Sequence, residues 1–208
     1  MERAELDHLV WAVPDLERGM LEIEHRLGVV PQIGGRHPGV GTRNALVDIG
    51  GQRYLEILAP DPEQHVFTGF GHWVADLAAP RLVTWACRTG DLDRWVQAAA
   101  GRGLDPESIL EMERQLPDGS TLTWRLAALG DARDGLLPFC IEWGDAHPND
   151  RLPSSGCELL QLSLSDDDDL GRDLEALGLS EESLLVRSVA HAEPVALFDT
   201  PRGRVELT

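Results

Sequence analysis

One pattern constrains this chain more than any other: a strand, a helix and three further strands, after which the same order begins again. Residues 5 to 13 read as a strand, with Leu6, Leu9, Val10 and Trp11 crowded at strand spacing. Pro14 and Asp15 then open DLERGMLEIEHRLG, in which Leu16, Met20, Ile23 and Leu27 recur at helical spacing and Gly28 stands as a C-terminal cap. Three strand candidates follow: VVPQIGG at 29–35, TRNALVDIG at 42–50 and QRYLEILAP at 52–60. Beyond a Gly-, Pro- and aromatic-rich linker, RLVTWACRT reads as a strand and DLDRWVQAAAGRG as a helix. SILEMERQ, STLTWRLAAL and LLPFCIEWG complete the second copy, with PDG at 117–119 as a turn. Asp15-Leu16 aligns with Asp91-Leu92 without a gap.

A shorter third copy fills the remainder: CELLQLSLS, a helical segment DDDDLGRDLEALGL, then SLLVRSV, PVALFDT and RGRVELT. Asp166 to Asp169 stand where that helix begins, and carboxylates there would satisfy its free amides and dipole. Repeats decide the fold before motifs do. The expected architecture is α+β, built of repeated βαβββ modules whose mixed sheets curve: 5–60, a linker at 61–80, 81–145, and a third module at 157–208. An unpaired third module would leave one sheet face bare, so it is expected to pack on the first two or to pair with its copy in a homodimer.

Charge narrows the partners. The 208 residues carry a formal charge of -18, and all 18 basic side chains are arginine. Such a surface repels phosphate backbones and anionic lipid, which argues against nucleic acid and membrane partners. Without a signal-peptide core or a bilayer-length apolar run, the chain is expected in the cytoplasm. Cys87, Cys140 and Cys157 form no CxxC pair and read as small buried hydrophobes. No phosphate loop, Ser-His-Asp order or HExxH helix is present.

Within LDHLVWAV, His8 is a satisfied core group, a surface residue at the strand's start, or a ligand. In a βαβββ unit the first and fourth strands become neighbours. Tyr54, Glu56 and Leu58 share one face of the fourth strand, so Glu56 confronts the strand that carries His8. A carboxylate in so apolar a run needs a partner. Either the two side chains hydrogen-bond, or they converge on a divalent cation. Glu142 and Glu206 repeat the apolar-Glu-apolar pattern in the later units, whereas His8 aligns with Thr84 and then with Gln161 or Leu162. The candidate shell is His8, Glu56 and Glu142, with positions left open for water or substrate.

The segment GGRHPGVGTRN adds Arg36 and Arg43, cations able to fork an anionic or carbonyl-bearing substrate. His37 there is a ligand or an acid-base group, or else a structural residue that, with Asn44, bonds backbone. Trp11, Trp85, Trp95 and Trp124 suit core faces, and one or two of them a pocket wall. Cys140 shares the face of Glu142, while His65 and His72 fall in the linker.

The chain resembles the glyoxalase-like branch of the vicinal oxygen chelate superfamily. The resemblance rests on DHLVWAVPDLE at 7–17, GGRHPGVGTRNALVDIG at 34–50, RYLEIL at 53–58, LPDGSTLTWRL at 116–126 and PFCIEWGD at 138–145. It spans most of residues 5–145 and, more weakly, TPRGRVEL near the end. It implies paired modules curling into a cup, with a divalent metal held on the inner face by first and fourth strands. Superfamily members use that metal to hold two neighbouring substrate oxygens, as isomerases, epimerases, ring-cleaving dioxygenases and fosfomycin-modifying transferases; some relatives only sequester bleomycin. By position, His8, Glu56 and Glu142 match ligands, and Thr84 departs from the second-module ligand. Two functions are therefore expected to compete. One is an enzyme of lyase, isomerase or dioxygenase type, using one Zn, Fe, Mn or Ni ion on a small oxygenated substrate. There His37 and Glu142 would move protons, and Arg36, Arg43, Asn44 and Trp124 would hold the substrate. The other is a metal-free small-molecule binder.

Overall fold

The computed structural model describes residues 3–65, 70–115, 121–165, 169–180, 184–187 and 193–208. The first copy of the repeat comprises β1 (Glu5–Ala12), α1 (Leu16–Leu27), β2 (Gln32–His37), β3 (Thr42–Asp48) and β4 (Tyr54–Pro60). A short helix α2 (Phe70–Ala75) occupies the linker. The second copy comprises β5 (Arg81–Arg88), α3 (Leu92–Arg102), β6 (Leu110–Gln115), β7 (Thr121–Ala127) and β8 (Phe139–Trp143). A 3-10 turn at Pro148–Asp150 precedes β9 (Glu158–Ser165), α4 (Leu170–Ala176), β10 (Leu184–Arg187), β11 (Val195–Thr200) and β12 (Gly203–Leu207).

The matching starts of the first two copies have one local cause. Asp15 and Asp91 cap α1 and α3, accepting from the Arg18 and Arg94 amides, and Gly28 and Gly103 close those helices at φ 74° and 85°. The helix α4 starts differently: Asp169 at its N-cap makes no side-chain cap bond, and its carboxylate pairs with Arg172 and Arg102 instead. Asp166 to Asp168 and the PDG turn lie outside the described residues.

The eight-stranded sheet runs β2-β3-β4-β1-β5-β8-β7-β6. β1 pairs parallel with β4 and antiparallel with β5, and β5 pairs parallel with β8. The order is thus a palindrome about the β1–β5 seam, and the two units join through their first strands into one curved sheet. The third unit is wired differently. Its sheet runs β10-β9-β11-β12, because the crossover through α4 lays β10 parallel beside β9 and leaves β12 paired with β11. First-to-fourth strand adjacency, expected of every unit, holds in the first two units only.

One apolar core joins the convex face of the large sheet, the helices and the small sheet; it includes Leu9, Trp11, Ile23, Leu27, Trp95, Leu162 and Phe198. Backbone bonds from Ala4 N to Gly178 O and from Leu159 N to Ile49 O stitch the third unit on. The sheet face that seemed to call for a second copy is covered within the chain, which removes that argument for a homodimer. No described helix is long and apolar enough to cross a membrane.

Candidate active site

The concave face of the large sheet encloses a cavity of about 830 Å³. Alternation along each strand decides what enters it. On β1, His8 and Val10 face the cavity while Leu9 and Trp11 enter the core; on β4, Tyr54, Glu56 and Leu58 face it while Leu55 and Ile57 do not.

Asp7 breaks the alternation. β1 shifts register against β5 between Leu6 and His8, so Asp7 is the extra residue of a β-bulge, a device that re-aims side chains. Its buried carboxylate takes His8 Nδ1 at 2.6 Å through Oδ1, and Trp143 Nε1 at 3.0 Å and His147 Nε2 at 2.9 Å through Oδ2. Burial alone would raise the Asp7 pKa, but the hydrogen bonds it accepts from His147 and His8 outweigh it and hold the carboxyl far below its ordinary range. An ionised carboxylate only accepts, so the proton between Asp7 and His8 belongs to Nδ1. Likewise His147 donates from Nε2, and its Nδ1 accepts from the Asn149 amide at 3.2 Å.

Two aromatic rings then hold His8 in place. Tyr54 stacks on it at 4.4 Å between centroids and Phe139 meets it edge-on at 5.4 Å. Burial, reinforced by the Asp7 and Glu56 charges, raises the Tyr54 pKa well above its usual value and keeps the phenol neutral. His8 Nε2 is left facing Glu56 Oε2 at 3.6 Å, beyond hydrogen-bond range.

Glu56 is fixed by its other oxygen, which accepts from Asn44 Nδ2 at 2.5 Å. Asn44 Oδ1 in turn accepts from Arg114 Nη1 at 3.4 Å. His37 completes the floor, with Nδ1 2.9 Å from Thr42 Oγ1 and Nε2 3.4 Å from Asn44 Nδ2. Burial lowers its pKa against the opposing pull of Glu56, with Arg114 and His8 adding to the fall, so His37 is neutral at pH 7.

The strands therefore bring His8, Glu56, His37, Asn44 and Trp124 to one cavity, together with Thr84. They carry Glu142 away from it. On β8, Phe139, Ile141 and Trp143 face the cavity, so the period of two turns Cys140 and Glu142 to the helix side. There Glu142 accepts from the Leu92 amide at 2.7 Å and from Arg125 Nη1 at 3.0 Å, serving the start of α3. The candidate shell loses its third member and the candidate catalytic pair loses Glu142. Arg36 and Arg43 also leave the site. Arg36 pairs with Glu63 and lies 3.7 Å from Asp61, and Arg43 forks Glu17 on α1 with two bonds of 2.7 Å. Both alternate with His37 and Asn44 and so point outward. Glu206 and His65 are exposed.

Among the described residues, no group of three His, Cys, Asp or Glu side chains is placed to hold a metal. His8 Nε2 and Glu56 Oε2, 3.6 Å apart, stand near the spacing of about 3.4 Å that two ligands of one tetrahedral ion require. Thr84 lines the wall where the second unit would supply another ligand. The donor set does not fit a resident ion with three protein ligands.

Sequence reasoning missed Asp7, Tyr54, His147 and Arg114. Arg114 had a signal: Leu110, Met112 and Arg114 form one face of β6, with the cation standing in an apolar stripe. Asp7 had none, because strict alternation would turn it away from the histidine side.

In fold the chain is similar to a hypothetical protein from Staphylococcus aureus, with a TM-score of 0.68 at 14% identity over 98% of this chain and 84% of that one. Methylmalonyl-CoA epimerase from Mycobacterium tuberculosis aligns with a TM-score of 0.46 at 22% identity, over 68% of this chain and 87% of its own. A Streptomyces coelicolor methylmalonyl-CoA epimerase aligns with a TM-score of 0.49 at 18% identity, over 71% and 99%. No curated protein matches the sequence significantly. The glyoxalase-like domain family matches residues 6–177, across both halves of the cup and into the third unit. The chain belongs to that family, within the glyoxalase-like branch of the vicinal oxygen chelate superfamily.

Proposed function

We propose that this protein is an enzyme that moves a proton on a small oxygenated substrate held in the cup, with His8 as general base. The carrying observation is the line from Asp7 through His8 to Glu56: a buried carboxylate fixes the Nδ1 proton at 2.6 Å and leaves Nε2 aimed into the cavity. In this reading Nε2 takes a proton from a carbon beside a carbonyl, and the C–H electron pair moves onto the carbonyl oxygen as an enolate. The imidazolium so formed stands between Asp7 and Glu56, two carboxylates that balance its charge. Returning the proton to another carbon or another face completes an isomerisation or epimerisation. Neutral His37 and the Asn44 amide lie close enough to orient the substrate oxygens.

The test is deuterium uptake from D2O, followed by proton NMR across 2-oxo acids, hydroxy acids and dicarbonyls. It is run in EDTA and again with Zn, Fe, Mn or Ni. Exchange in EDTA with at least one compound, falling about 100-fold or more in His8→Ala, is the expected result, since positioned proton transfer contributes about 10²–10⁴-fold. Exchange that starts only after a metal is added would favour a metal-dependent enzyme built on His8 and Glu56. Ligand retention without exchange under any condition would favour sequestration.

A further inference from the structure

We infer that Arg114 is an anion clamp, and that the cup takes ligands bearing a carboxylate on an apolar body. The inference rests on the cavity being a ligand site, as proposed above, and does not require that His8 be a base. Arg114 is 8% exposed and lines the cavity. Among the described residues no carboxylate lies within ion-pair distance of its guanidinium. Among those residues, too, its one hydrogen bond is the 3.4 Å contact from Nη1 to the Asn44 amide oxygen, and its buried Nε has no partner. A guanidinium so enclosed demands an acceptor, and its fork suits two oxygens of a carboxylate.

The backbone is shaped around this cation. A Cβ at Gly35 would lie 2.6 Å from Arg114 Cδ, so β2 is stripped of a side chain where the arginine crosses it. A Cβ at Gly34 would strike Asn44 Oδ1, the atom that receives Nη1. The Gly34-Gly35 pair therefore cradles both the cation and its amide neighbour. Around them stand Leu110, Met112, Leu122 and Trp124, an apolar wall for the rest of the ligand.

Two other arginines are among the described residues that line the cavity. Arg133 is engaged by Asp173 at 2.5 Å; Arg81, whose buried Nε is likewise without a hydrogen-bond partner, is only half-buried and lies over the Trp73 ring at 5.0 Å, which gives its cation a partner that Arg114 does not have. The formal charge of -18 disfavours non-specific uptake of anions, so preference for a charged ligand must come from a local cation.

Benzoate and its uncharged isostere benzamide test the clamp, with tryptophan fluorescence as readout, since Trp73, Trp124 and Trp143 line the cavity. Wild-type protein is expected to bind benzoate at least tenfold more tightly than benzamide. In Arg114→Gln the two should bind within about twofold of each other, while Arg81→Gln and His8→Ala keep the preference. Equal binding of the two probes by wild-type protein, or no binding of either, would overturn the clamp even if Arg114→Gln fails to fold. So would a preference that survives Arg114→Gln or is lost in Arg81→Gln. If His8→Ala abolishes deuterium uptake and keeps benzoate selectivity, both readings stand; selectivity without uptake in wild-type protein keeps the clamp and rejects the base.

Discussion

At the scale of single residues, the site depends on one buried carboxylate that sequence alternation hides. Three side-chain donors converge on Asp7, and bonds to an ionised group are worth about 1.5–3 kcal/mol each before the cost of burial is subtracted. Asp7→Asn keeps the shape and removes the charge, and it is expected to lower stability at pH 7 by about 1–3 kcal/mol. The sign of the pH dependence follows from the depressed pKa. The stabilisation is complete above the unfolded value of about 3.9 and drains away as the pH falls below it. The gap between the melting curves of wild type and Asp7→Asn should therefore begin to close below about pH 4 and go on closing as the pH falls further; a gap that widens there would contradict the ionised carboxylate. His8, Glu56 and His37 were legible because each stands in a short apolar or glycine-rich setting that asks for an explanation. Glu142 was misread for the same reason: its apolar neighbours suggested the cavity, but its face on β8 belongs to α3.

At the scale of elements, the repeat was legible because capping aspartates and closing glycines bracket α1 and α3 alike. The linker was not. Helix α2 is too short for a periodic pattern, and it is held by contact: a Cβ at Gly71 would collide with the Val40 carbonyl oxygen in the turn between β2 and β3. That contact sets Phe70 and Trp73, stacked at 5.4 Å, at the cavity wall. Gly71→Ala is expected to force the helix off the turn, costing about 1–3 kcal/mol in thermal unfolding, the range for overpacking. An unchanged melting temperature would show that α2 does not depend on this approach. The third unit shows the opposite failure. Its order of elements copies the first two, yet β12 pairs with β11 and not with β9, because strand order along a chain does not specify which edges meet.

At the scale of the whole molecule, two copies of one unit meet along β1 and β5 and enclose a cavity, while the third unit covers their convex side. The halves have diverged within that symmetry. The first unit supplies His8, Glu56, His37 and Asn44; the second supplies Arg114, the apolar wall and Thr84. The chain after β8 then returns His147 to Asp7, so the connection to the third unit buttresses the floor of the cup. Folding of the first two units and of the connection that follows them thus converges on the protonation of one imidazole. Long-range ¹H–¹⁵N NMR of the histidine side chains at pH 7 reads that directly in the intact protein. The expected spectrum shows His8 protonated at Nδ1 with a bare Nε2, and loss of that pattern in Asp7→Asn. A proton on Nε2 in the wild-type protein, whether in the other tautomer or in an imidazolium paired with Glu56, would contradict His8 as the base.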